Sequence, residues 1–137
     1  MPTLTELLES ARTIAVVGMS PTPSRTSYAI GRYLIEAGYN VIPINPNCDT
    51  IEGRTCYPDL ASVPGDAGID IVNIFRRPKY TADVVRETLE RIAGTGERPA
   101  IWTQIGVSSQ EAEKLATDAG LVYIPNRCIM VEHTRMG

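Results

Sequence analysis

The sequence predicts an α/β protein: a parallel, doubly wound sheet of about five strands with helices on both faces. Short, largely apolar runs recur along the chain: IAVV from Ile14, VIPI from Val41, IDIVNIF from Ile69 and AIWT from Ala100. Segments with apolar residues at the helical period separate them. The runs lack the alternation of a half-exposed strand, as expected where helices cover both faces.

Thr3 to Ser10 reads as a short leading helix, with Thr3 and Glu6 at capping-box spacing and an apolar stripe of Leu4, Leu7 and Leu8. The first strand, Ile14 to Val17, ends at Gly18. The polar loop Met19 to Thr26 is stiffened by Pro21 and Pro23. A helix follows from about Ser27 to Ala37, with Ala29, Ile30, Tyr33 and Leu34 on one face. Ser27 is placed to cap it and Gly38 to end it. Asn40 to Ile44 is the second strand, closed by Asn45-Pro46-Asn47.

Residues 48–66 read as irregular, apart from one helical turn at Asp59 to Ser62. The third strand, Ile69 to Phe75, runs into Arg76-Arg77-Pro78, and the proline keeps Arg77 extended. A helix spans about Thr81 to Ala93, with Val84, Val85, Leu89 and Ile92 inward. Ala100 to Gln104 is the fourth strand. Ser108, with Glu111, is placed to cap a helix that buries Ala112, Leu115, Ala116 and Ala119 and stops at Gly120. Leu121 to Ile124 is the fifth strand, and the tail from Pro125 reads as a turn of helix at most. Strands alternating with helices imply right-handed crossovers and a Rossmann-like domain, a single one over residues 1–137.

The composition is that of an ordinary globular chain, 43% apolar with a formal charge of -3. A mildly acidic chain without a basic run is a poor nucleic-acid binder. No apolar run reaches membrane-spanning length and the N-terminus carries no signal peptide, so the expected location is cytoplasmic, with no membrane partner. Cys48, Cys56 and Cys128 form no C-x-x-C pair and read as free thiols, and the single histidine, His133, argues against a zinc site.

In a doubly wound sheet, ligands bind beyond the C-terminal ends of the strands, where strand order reverses. The residues that follow each strand are therefore the candidates. They are Gly18, Ser20, Arg25, Ser27 and Tyr28; Asn45 and Pro46; Phe75, Arg76 and Arg77; Gln104 and Gly106; and Asn126, Arg127 and Cys128. A Gly-led strand–loop–helix turn gathers backbone N–H groups at the positive end of a helix, which suits a phosphate. The stretch Ile14 to Ala29 fits that role, and equally an ordinary turn that happens to carry Gly, Ser and Pro. Arginines at this edge match phosphate oxygens bidentately. An NAD site is disfavoured. The G-x-G-x-x-G spacing from Gly18 meets Ser20 and Pro23, and the acid expected after the second strand is replaced by Asn45-Pro46-Asn47.

The motifs GMSPTPSRTSYAIGRYL, VIPINPN, IDIVNIFRRP, IWTQIGV and IPNRCIMVEH, in this order from about Ile14 to His133, resemble those of the small single-domain CoA-binding proteins. These are similar in fold to the N-terminal domain of the succinyl-CoA synthetase α-subunit. The resemblance implies a Rossmann-like domain that binds coenzyme A. The loop Gly18 to Tyr28 would hold phosphates, and Asn45 and Pro46 would line the nucleotide end. Phe75, Arg76 and Arg77 would contact adenine or ribose phosphate, and Gln104 and Gly106 would flank the pantetheine arm. The synthetase's phosphorylated histidine belongs to a second domain, and His133 does not sit in that motif. The expectation is a binder of CoA or an acyl-CoA without catalysis of its own. The alternatives are a small thioester enzyme using Cys128 or His133, and an NAD-binding regulatory domain.

Overall fold

The computed structural model describes residues 2–136. The elements run α1 (Leu4–Ser10), β1 (Thr13–Val17), α2 (Thr26–Glu36), β2 (Asn40–Ile44), β3 (Thr50–Ile51), β4 (Arg54–Thr55), a helical turn Leu60–Ser62, β5 (Ile71–Ile74), α3 (Pro78–Thr95), β6 (Ala100–Thr103), α4 (Gln110–Asp118), β7 (Tyr123–Ile124) and α5 (Ile129–Thr134). The main sheet has the order β2-β1-β5-β6-β7, and every pair in it is parallel. From β1 the chain first builds outward to β2, then returns to lay β5 on the other side of β1. That reversal puts the topological switch point between the ends of β1 and β5.

Alternate strand residues feed two separate cores, which is why the runs are apolar without alternation. Ala15, Val17, Val72, Ile74 and Ile101 pack under α3 and α4. Ile14, Val16, Ile71 and Trp102 pack under α1, α2 and α5. Asn73 breaks the apolar pattern at the middle of the sheet. It is fully buried, and neither polar atom of its side chain has a partner among the described residues. Pro43 is tolerated because β2 is an edge strand: its carbonyl accepts from Tyr57 N at 3.0 Å, and no sheet neighbour misses its N–H.

Several element boundaries depart from the sequence expectation. Residues 48–66 are not wholly irregular, because β3 and β4 pair as a tight hairpin. Its turn residues Glu52 and Gly53 both take positive φ, 52° and 72°, the geometry that lets a two-residue turn follow the strand twist. Helix α3 starts at Pro78 rather than near Thr81, since proline in the first turn loses only an N–H that would have no helical partner. Ser109, not Ser108, caps α4 by accepting from Ala112 N, while the Ser108 hydroxyl bonds Tyr123 Oη at 2.8 Å. Ser27 does not cap α2. The N-cap is Arg25, which makes no side-chain cap bond. The fifth strand is confined to Tyr123–Ile124. Among the described residues no helix is long and apolar enough to cross a membrane.

One buried ion pair ties the second half of the chain together. Arg91 and Glu97 have side chains only 4% and 7% exposed. Arg91 Nε donates to Glu97 Oε1 at 2.7 Å and Nη2 to Oε2 at 3.1 Å. The same guanidinium donates to the carbonyls of Leu60, Val63 and Pro64. Ile69 N completes the cluster by donating to Glu97 Oε2 at 2.9 Å. Thus one side chain of α3 holds the loop that leads into β5.

Candidate functional site

Gly18 is the pivot of the C-terminal edge. Its N–H donates to Ile44 O at 2.8 Å, and Phe75 N donates to Val17 O at 2.8 Å, so the ends of β2, β1 and β5 are drawn together. Its φ is +89°, and a Cβ built on it would lie 2.1 Å from the Phe75 carbonyl oxygen. Only glycine allows so close an approach of two backbones.

Two hollows adjoin across this contact, sharing Gly18 and Phe75. One, of about 420 Å³, is lined by Ser24, Arg25, Thr26, Ser27 and Val107. The other, of about 350 Å³, is lined by Asn45, Pro46, Asp59, Arg76 and Glu87 over an apolar wall. A further hollow of about 410 Å³ lies by Asn40 and Val41, at the start of β2, with Arg54 and Asp66 on its walls. It sits away from the strand ends where switch-point ligands bind.

The first hollow is built by the loop before α2. Ser20 N donates to Ser27 Oγ at 3.0 Å, and Thr22 N donates to Ser20 Oγ at 3.0 Å. Two of the loop's N–H groups are thus met by its own hydroxyls, which ties the loop to the start of α2. Helix α2 begins without a side-chain cap, and its first two residues, Thr26 and Ser27, line the hollow. An uncapped helix start presents N–H groups and the positive end of the dipole to whatever occupies the space.

The second hollow is held by Asn45. Its Nδ2 donates to Met19 O at 2.9 Å and its Oδ1 accepts from Asn47 N at 2.9 Å. The Nδ2 bond joins the loop after β1 to the loop after β2, and the Oδ1 bond shapes the turn after β2 itself. The Arg76 guanidinium lies 4.8 Å from the centre of the Tyr80 ring. Among the described residues Arg25, Arg76 and Arg77 enter no ion pair. Arg127, by contrast, pairs with the buried Glu132 at 3.0 Å.

The structure brings Gly18, Arg25, Ser27, Asn45, Pro46, Phe75 and Arg76 onto the walls of the two hollows. Ser20, Tyr28, Arg77, Gln104 and Gly106 are not on those walls. Ser20 shapes the loop. The Tyr28 hydroxyl donates to Glu52 on the β3–β4 hairpin. Arg77 is the N-cap of α3. Gln104 Oε1 accepts from Ile129 N at 3.0 Å, and Gly106 N donates to Asn126 Oδ1 at 2.7 Å, so both fasten the chain around α5.

Two acids nevertheless stand beside the end of β2 in space. No acid follows β2 in sequence, but Asp59 and Glu87 reach the same hollow from the helical turn and from α3. Glu87 Oε1 accepts from Leu60 N at 2.6 Å. Burial raises the pKa of Glu87, and that outweighs the Leu60 N–H, which acts the other way. Asp59 Oδ1 accepts from Ser62 N at 2.9 Å. One signal was readable beforehand: Glu87 stands three residues after the inward-facing Val84, on the same helix face.

His133 lies elsewhere. Its Nδ1 is 2.7 Å from Tyr33 Oη, and it lines a hollow with Arg12, Gly38 and Tyr39, residues that precede β1 and β2. Cys128 is the N-cap of α5 and His133 stands near the helix's far end. Helix α5 thus carries His133 toward the edge of the sheet opposite Gly18.

Fold and site together define a doubly wound α/β domain with ligand-sized hollows at its switch point. The chain belongs to the CoA binding domain family, whose model matches residues 12–134. It is 38% identical over 128 residues to the uncharacterized protein YneT of Bacillus subtilis (strain 168), covering 93% of this chain and 90% of that one. It is similar in structure to a hypothetical protein from Pyrococcus horikoshii OT3, with a TM-score of 0.88, 37% identity, and coverage of 97% of this chain and 89% of that one. It is 29% identical over 105 residues to acetate–CoA ligase [ADP-forming] II of Archaeoglobus fulgidus. That match takes in 75% of this chain but only 15% of the ligase.

Proposed function

We propose that the chain binds coenzyme A or an acyl-CoA across the two hollows and performs no chemistry of its own. The observation that carries this reading is the pair of hollows joined at Gly18 and Phe75, one donor-rich and one with apolar walls. CoA needs both kinds of surface. It carries a charge of about -3.5 to -4 on its phosphates, together with a neutral base. The diphosphate takes the hollow at the start of α2, with Arg25 beside it. The base takes the hollow beside Pro46 and Phe75, and Arg76 at its rim reaches the 3′-phosphate.

The reverse placement is disfavoured by magnitude. A phosphate about 4 Å from Asp59 or Glu87 would be repelled by about 4 kcal/mol per unit charge at an effective dielectric constant of about 20. The absence of catalysis is inferred from the site's inventory. Neither hollow has a cysteine or a histidine on its walls, and the hollow that holds the Ser24, Thr26 and Ser27 residues has no carboxylate on its walls to act as their base. The reaction of an acetate–CoA ligase belongs to the whole of that protein, most of which has no counterpart in this chain.

Calorimetry with CoA and dephospho-CoA tests the reading. CoA is expected to bind at least about ten-fold more tightly, the worth of one charge-assisted contact. Arg76→Ala should bring the two ligands to similar affinity without lowering thermal stability. Equal binding of both ligands by the unaltered protein would remove Arg76 from the phosphate role.

A further inference from the structure

The hollow beside Pro46 combines a slot for a flat ring with an unusual set of polar groups. Val17, Ile44, Pro58 and Val84 make its walls apolar, with Phe75 at the border with the neighbouring hollow. The Asn45 carboxamide is held by the protein at both ends, which fixes its orientation beside Pro46. With Arg76 and Asn47 on the same lining stand two carboxylates, each held by one oxygen and open at the other. Glu87 is fixed through Oε1 by Leu60 N, and Asp59 through Oδ1 by Ser62 N and Oγ. Glu87 Oε2 and Asp59 Oδ2 have no hydrogen-bond partner among the described residues. An acceptor oriented in advance loses little freedom when a ligand arrives. Burial of Glu87 also strengthens any hydrogen bond made there, because water competes less. The ligand group that suits this wall is a neutral donor on the edge of a ring.

Building on the CoA reading above, we infer that Glu87 and Asp59 read the exocyclic amino group of adenine, which makes them the residues that select the base. The carboxylates repel the phosphates and accept from the amino group. The same two side chains therefore set which end of the ligand enters this hollow and which base it carries. Both also have a structural bond, so simple truncation is a poor probe. Glu87→Gln is a better one. Its amide oxygen keeps the bond from Leu60 N, and its NH2 then faces the hollow as a donor where an acceptor stood.

The test compares CoA with etheno-CoA, in which a two-carbon bridge removes both hydrogens of the adenine amino group and leaves an acceptor nitrogen. Both ligands are titrated calorimetrically into the unaltered chain and into Glu87→Gln, with thermal unfolding of each to confirm folding. The unaltered chain is expected to prefer CoA by at least about ten-fold. Glu87→Gln is expected to weaken CoA and to strengthen etheno-CoA, closing or reversing that preference. Equal binding of both ligands by the unaltered chain would overturn the inference while leaving the CoA reading in place. So would a preference that Glu87→Gln leaves unchanged, since ring bulk alone would then explain it. Failure of the unaltered chain to bind either ligand would overturn both readings.

Discussion

Gly18→Ala is expected to destabilise the protein by at least about 3 kcal/mol and to abolish ligand binding in whatever fraction stays folded. The left-handed backbone at Gly18 alone costs an ordinary residue about 1–3 kcal/mol. Here the added methyl also meets the Phe75 carbonyl, which is backbone and cannot rotate away. Relief requires the ends of β1 and β5 to part, and that contact is the border shared by both hollows. Urea unfolding should show a lower midpoint with an unchanged slope. A variant as stable as the parent, still binding CoA, would show that the edge is looser than the close approach of Gly18 and Phe75 implies.

Arg91→Met is expected to cost about 3–5 kcal/mol, the usual consequence of leaving one member of a buried ion pair behind. It strands the Glu97 carboxylate and removes the donors that serve the Leu60, Val63 and Pro64 carbonyls. The loss should depend on pH in a definite sense. Burial pushes the Glu97 pKa up, but the bonds from Arg91 and Ile69 N outweigh it and leave the value below the ordinary 4.5. In the parent, the stability from this carboxylate is therefore complete above pH 4.5 and is lost as the pH falls through the lower folded value. In Arg91→Met the burial stays while the Arg91 bonds and charge are gone, leaving the Ile69 N–H and Thr95 to favour the charged form, so protonating Glu97 costs the fold less than in the parent. The stability gap between parent and variant should narrow on acidification, read from urea midpoints across the acid range. A gap that widens toward low pH would contradict the assignment of Glu97 as the charge that Arg91 holds.

The parts of the fold that could be read from sequence are those set by local pattern. Thr3 and Glu6 form the capping box their spacing implies, with both bonds made at 3.1 Å. The apolar runs became strands because each run is short, bounded by turn residues, and too uniform for a half-exposed strand. What could not be read depended on partners distant in the chain. The β3–β4 hairpin turns on Glu52 in a left-handed conformation, which no composition rule would assign to glutamate. Ser27 looked like a cap because it precedes an apolar stripe, yet its hydroxyl is taken by Ser20 N in the folded loop.

The site divides in the same way. Gly18, Asn45, Pro46, Phe75 and Arg76 follow strands directly, and Arg25 and Ser27 close the loop after β1; the strand-end rule named all seven, and all seven line the two hollows. Asp59 and Glu87 come from elements that merely lean over the edge, so adjacency to a strand could not find them. Gln104 and Gly106 satisfied the strand-end rule, but their hydrogen bonds serve the α5 segment. A residue can follow a strand and still turn into the scaffold.

The most direct test of ligand binding at the switch point is an amide NMR titration with CoA. Shifts are expected to concentrate at Gly18, Arg25, Thr26, Ser27, Phe75 and Arg76, saturating together, with the amides around His133 and along the Asn40 end of β2 unmoved. No shift at ligand excess, or shifts confined to the opposite edge of the sheet, would contradict the account.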